Sequence, residues 1–156
     1  MGAEESGMSR RERIVDTVHR IAEVHERQAQ VEVSRAQTRQ RQAEEDVAGL
    51  EAENAAAEAA ILNGGALGAL ERELLWAHRT WYRNERVITQ ERLAKTESEV
   101  AQAQELLSAR VHETRKREKV RDHVVLEARS ERFDRAQKEL DEIATMRSRN
   151  RNPEPE

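Results

Sequence analysis

Small or apolar residues recur along the first part of the chain at steps of four and three. The positions are Val15, Ala22, Ala29, Val33, Ala36, Ala43, Val47, Leu50, Ala57 and Ile61. His19, Glu26, Gln40 and Asn54 are polar members of the same register. A repeat near 3.5 residues is the seam of a coiled coil, here a weak one because alanine fills so much of it. Ser9 and Glu12 form a capping-box signal, so the helix is expected to open at 9. No proline follows before Leu62, and only Gly49 interrupts good helix formers. The pattern predicts a helix over 9–62, preceded by a disordered segment 1–8.

A second helix is predicted over 67–148. Leu67, Leu70, Leu74, Ala77, Trp81 and Ile88 open it as one apolar face, and Leu93, Val100, Ala103, Leu107, Val111 and Thr114 carry the stripe on. The basic run 115–121 blurs it. It resumes with Val124, Ala128, Phe133, Ala136, Leu140, Ile143 and Ala144. Two prolines close the chain, and 149–156 is expected to be a disordered tail.

Between the helices lies Asn63-Gly64-Gly65-Ala66-Leu67-Gly68, which holds three of the six glycines. Asn and Gly end helices through a left-handed conformation, and adjacent glycines permit a reversal. A turn over 63–66 lets the two apolar stripes bury each other. The predicted fold is therefore all-α, a long antiparallel two-helix coiled-coil hairpin with unequal arms. At about 1.5 Å per residue the arms are roughly 80 Å and 120 Å, so the end of helix two should overhang. The competing arrangement is one continuous helix that dimerises as a parallel rod. Several glycines inside such a helix would each cost about 1 kcal/mol, which favours the hairpin. An alanine seam forfeits about 0.8 kcal/mol for each methylene that leucine would have buried. The hairpin should be marginal and mobile until a partner stiffens it.

Composition removes most chemistry. Charged residues make up 37% and aromatics 3%, too few bulky side chains for an ordinary globular core. No cysteine is present, which excludes disulfides, thiolate nucleophiles and cysteine metal sites. The start of the chain lacks the apolar stretch of a signal peptide, and no apolar run is long enough to span a membrane. His19 and His25 are six residues apart and His112 and His123 eleven, so neither pair offers the i,i+4 spacing that chelates a metal. The glycine cluster lacks the Lys-Ser/Thr of a phosphate loop and the strand before it. A two-helix rod has no concave site in which to perturb a pKa. No enzymatic activity, cofactor or metal is expected.

Two surfaces remain. Leu70, Leu74, Leu75, Trp76, Trp81 and Tyr82 crowd the start of helix two. Leu70, Leu74, Ala77 and Trp81 follow one face, while Leu75, Trp76 and Tyr82 are expected to point elsewhere. The cluster could clamp the hairpin tip or bind a protein, since Trp and Tyr are typical interface anchors. The second surface is charge. Residues 110–151 carry 13 Lys and Arg against 9 Asp and Glu, whereas 42–62 carry six acidic residues and no basic one. This is either ordinary helix surface or a basic docking end for an acidic partner. A net charge of −4, with no aromatic among 115–121, argues against nucleic acid.

The C-terminal run Glu131 to Arg147 (ERFDRAQKELDEIATMR) resembles the central stalk family of type III secretion, the SctO, YscO or HrpO proteins and their flagellar counterpart FliJ. The carrying residues are Asp134, Lys138, Leu140-Asp141-Glu142-Ile143-Ala144 and Arg147, together with the basic start Arg10, Arg11, Arg13. The resemblance implies an antiparallel coiled coil similar in shape to the rotary γ subunit of F-type ATPases. Its paired termini would enter the pore of the hexameric secretion ATPase, through Arg10, Arg11, Arg13, Phe133, Lys138, Leu140 and Arg147. Its tip would meet the cytoplasmic domain of the export-gate protein through Leu70, Leu74, Ala77 and Trp81, which match the family spacing 0, +4, +7, +11. Trp81 stands where the flagellar pattern has a histidine. Members also bind export chaperones. The implied place is cytoplasmic, peripheral at the inner-membrane base of the secretion apparatus. The alternative function is a generic coiled-coil scaffold that homodimerises.

Overall fold

The computed structural model describes residues 8–63, 65 and 67–151. Helix α1 spans Arg10–Leu62 and helix α2 spans Ala69–Arg151, packed against each other with no strand among the described residues. The expected start at 67 falls two residues later, because Gly68 caps α2: its carbonyl accepts from the Arg72 amide at 3.2 Å. The expected end at 148 lies three residues later, so 149–151, assigned above to a disordered tail, are helical. The rest of that tail and residues 1–7 lie outside the described residues, as do Gly64 and Ala66 of the turn.

The capping box forms as expected. The Glu12 amide donates to Ser9 Oγ at 3.2 Å, and the Ser9 amide donates to Glu12 Oε2 at 2.6 Å. Together they satisfy two backbone donors that a helix start leaves orphaned. At the other end of α1 the Asn63 amide still reaches the Ala59 carbonyl at 2.9 Å. Gly65 then adopts φ 85°, the left-handed region that a side chain disfavours.

The chain divides into two compact units: one holds the residues up to His25 together with those from Val111 onward, the other Glu26–Arg110. In the second unit Arg39 meets Glu99 at 3.0 Å, Asp46 meets Arg92 at 3.5 Å and Glu58 meets Arg79 at 3.0 Å. The α2 number falls as the α1 number rises, which makes the helices antiparallel. Asn54 Oδ1 and His78 Nε2 add a bond of 3.0 Å. A parallel rod of continuous helices brings none of these intrachain partners together. The buried residues here are Ala29, Ala36, Ala43, Leu75, Thr96 and Val100. Thr96 is tolerable because its hydroxyl bonds the Leu93 carbonyl at 2.8 Å.

The other unit buries His19 and Ala22 of α1 and Val124 of α2. Glu12 is buried too, and its two carboxylate oxygens accept from Arg132 Nη2 at 2.5 Å each. Beside it Arg11 pairs with Glu127 at 3.1 Å. Beyond Arg132 no described residue of α1 accompanies α2, and residues 129–149 are all exposed. The overhang of the longer arm is thus present.

The α1 seam follows the heptad residues read from the sequence. The α2 seam does not at its start. Leu70, Leu74, Ala77, Trp81 and Ile88 are exposed, and the seam passes through Leu75, His78, Tyr82, Thr89 and Leu93 instead. Each residue turns a helix by about 100°, so a stripe one position out of phase faces sideways. The long seam downstream fixes the phase of α2, and the apolar cluster at its start is rotated away from α1. The stripe at the other end also leaves the seam: Phe133, Ala136, Leu140, Ile143 and Ala144 are exposed rather than a resumption of the Val124–Ala128 contact.

Candidate functional site

In the Glu26–Arg110 unit, Leu70, Leu74, Ala77 and Trp81 form one outward face. Leu70 is 65% exposed, Leu74 52% and Trp81 45%. Because α1 contacts the neighbouring face through Leu75 and Tyr82, the four residues are available to a partner without opening the hairpin. The ring of His78, which bonds Asn54, lies 5.5 Å from that of Trp81 and tilted by 36°, so it braces the indole from the seam side. Trp76, at 72% exposure, points away from both faces. Large apolar side chains this accessible are expensive in a free chain and characteristic of contact anchors.

In the other unit the remaining candidates lie at the start of α1 and along the overhang of α2. Arg10 and Arg13 are exposed and line a shallow groove with Ile14, Thr17 and Val18. Arg11 is engaged by Glu127. Phe133, Leu140 and Arg147 are exposed at seven-residue spacing on one face of the overhang. Lys138 is exposed but lies about 160° around the helix from Leu140, so it does not share that face. The overhang therefore offers an apolar stripe with a basic end, and Lys138 on its back.

Sequence reasoning missed the clasp that fixes this end. Glu12 caps its own helix and receives Arg132 from a position 120 residues away. The Ser9 backbone amide, then the Arg132 guanidinium and the Ser9 hydroxyl, hold the Glu12 carboxyl below the usual range, against the effect of burial. The cap was legible; its partner was not, because Arg132 is one of many arginines in α2. The reading also passed over Ile14, Ile21 and Val24, a stripe on α1 turned away from α2 and 54%, 50% and 48% exposed. Their spacing of seven and three was the available signal.

Among the described residues no group of three or more His, Cys, Asp or Glu could hold a metal ion. No described helix is long and apolar enough to cross a membrane. No protein family, curated protein or solved structure matches the chain.

Proposed function

We propose that this chain is a non-enzymatic central stalk of a type III secretion system, linking the hexameric secretion ATPase to the export gate and assisting substrate and chaperone handling. The observation that carries the reading is the exposed face of Leu70, Leu74, Ala77 and Trp81, with the spacing 0, +4, +7, +11. A hairpin that needed those residues for its own stability would have turned them inward. The overhang with Phe133, Leu140 and Arg147, beside the basic start Arg10, Arg11 and Arg13, is the part assigned to the ATPase. In this reading the chain supplies shape and contacts, hydrolyses nothing, and works in the cytoplasm at the inner-membrane base of the apparatus. Binding energy at each surface comes from a few apolar anchors within a charged rim.

The test is binding of the full chain to the purified ATPase and to the purified gate cytoplasmic domain. Leu74→Asp should weaken gate binding and leave ATPase binding intact. Phe133→Asp with Leu140→Asp should do the reverse. Loss of both partners from either variant, with helicity retained, refutes two separate surfaces.

A further inference from the structure

Near the start of α2, Arg72, Trp76, Arg79, Arg83, Val87 and Gln90 share one face. At about 100° per residue they fall within roughly 80° around the helix axis. That face lies roughly 150° from Leu70, Leu74, Ala77 and Trp81, and roughly 90° from the seam through Leu75, Tyr82 and Thr89. All six residues are exposed, and Arg86, also exposed, stands on the edge of the stripe. No Asp or Glu occurs on this face between Ala69 and Ala94.

Further along α2, arginines find a carboxylate on their own helix: Arg117 meets Glu113 at 2.6 Å and Arg135 meets Glu131 at 3.5 Å. Of Arg72, Arg79, Arg83 and Arg86, Arg79 alone is paired among the described residues, with Glu58 of α1 at 3.0 Å. Arg79 and Arg83 are four residues apart, and Arg83 and Arg86 three, so like charges are neighbours along the helix. Their repulsion works against the helix and is relieved when carboxylates are placed between them. Trp76 stands among these arginines with its indole in water. Tryptophan and arginine are the residue types that most often anchor a protein contact.

We propose that this stripe docks an acidic amphipathic helix of a partner protein. A helix laid along α2 has the same rise per residue, so its carboxylates can match Arg72, Arg79 and Arg83, which stand about 10 and 6 Å apart along the axis. Guanidinium binds carboxylate in a planar, two-point contact, and Arg79 keeps donors beyond its bond to Glu58. Apolar residues of the partner cover Trp76 and Val87, both exposed. A nucleic acid fits less well. The same unit holds six acidic residues and no basic one over 42–62, and the chain carries a net charge of −4. A polyphosphate brings a charge with every nucleotide into that field, whereas a protein helix sets carboxylates only where the arginines stand. Val87 also gives a base no ring to stack on. The stripe is a different face from the one assigned to the export gate, and the proposal does not rest on that assignment.

The probe is a labelled, alanine-based helical peptide, titrated with the full chain at low ionic strength and followed by fluorescence anisotropy. It carries glutamates at the spacing 0, +7, +11 of Arg72, Arg79 and Arg83, and leucines at the +4 and +15 of Trp76 and Val87. It should bind, and a companion peptide with glutamine for each glutamate should bind at least about tenfold more weakly. Arg72→Glu with Arg83→Glu should weaken binding of the glutamate peptide by about tenfold or more. Arg129→Glu with Arg149→Glu changes the net charge equally, on the overhang, and should alter binding less than about twofold. All four positions are exposed, and circular dichroism should show unchanged helix. In the Trp81→Phe chain Trp76 is the one tryptophan left, and its emission should move to the blue as the glutamate peptide binds. A glutamate peptide that does not bind, or binds no better than its glutamine companion, overturns the proposal. So does equal loss from the two double variants, a Trp76 emission unchanged on binding, or tighter binding of oligothymidylate than of the peptide.

Discussion

Leu74 and Leu75 are neighbours in sequence and opposites in environment. Leu75 is 8% exposed on the seam with α1, whereas Leu74 is 52% exposed on the outward face. Truncating each to alanine is the same chemical change in the same helix, so the gain in helix propensity cancels between them. What differs is packing. Leu→Ala in a core costs about 2–5 kcal/mol, and a two-helix seam whose neighbours can relax belongs at the low end, about 2 kcal/mol. Leu74 keeps half its surface in water, so its loss should cost about 0.5–1 kcal/mol. Urea unfolding followed by far-ultraviolet circular dichroism measures both, provided the slope stays constant between variants. Amide exchange near residue 75 localises the loss to this part of the hairpin. Leu75→Ala should shift the midpoint clearly and Leu74→Ala little. An equal or larger cost at Leu74 would mean that the seam runs through Leu70, Leu74 and Trp81. The outward docking face would then not exist.

Three further outcomes follow from the same contacts. The Glu12 carboxyl is depressed by its bonds to Ser9 and Arg132, so its contribution is complete above the ordinary carboxylate range and is lost as pH falls through the depressed value. Glu12→Gln should therefore flatten the acid limb of a stability–pH curve, and an unchanged limb would refute the clasp. His19 is 5% exposed, with Nε2 3.6 Å from Glu23 and Nδ1 without a hydrogen-bond partner. His19→Leu should stabilise by about 1–2 kcal/mol, read as a raised thermal midpoint. Gly65 has φ 85° and open space around it, so Gly65→Val should cost roughly 1–2 kcal/mol through backbone strain alone; an unchanged urea midpoint would show that the turn does not need that conformation.

The sequence alone determined two helices, the break between them, the cap at Ser9 and Glu12, and the heptad face that α1 turns inward. These are local properties: propensity, capping and periodicity are written within a few residues of where they act. It also identified Leu70, Leu74, Ala77 and Trp81 as sharing a face, because a fixed angle per residue requires no partner. Only the tertiary structure decided which way that face points. The start of α2 carries two overlapping apolar stripes about 100° apart, and either could have been the seam. The phase inherited from Thr89, Leu93, Thr96 and Val100 selected Leu75 and Tyr82, since a rigid helix cannot rotate one end independently of the other. The choice of Arg132 for Glu12, from many arginines, likewise depends on how far along α2 the start of α1 lies. Such pairings are set by where two helices meet, and no spacing within either helix contains that information.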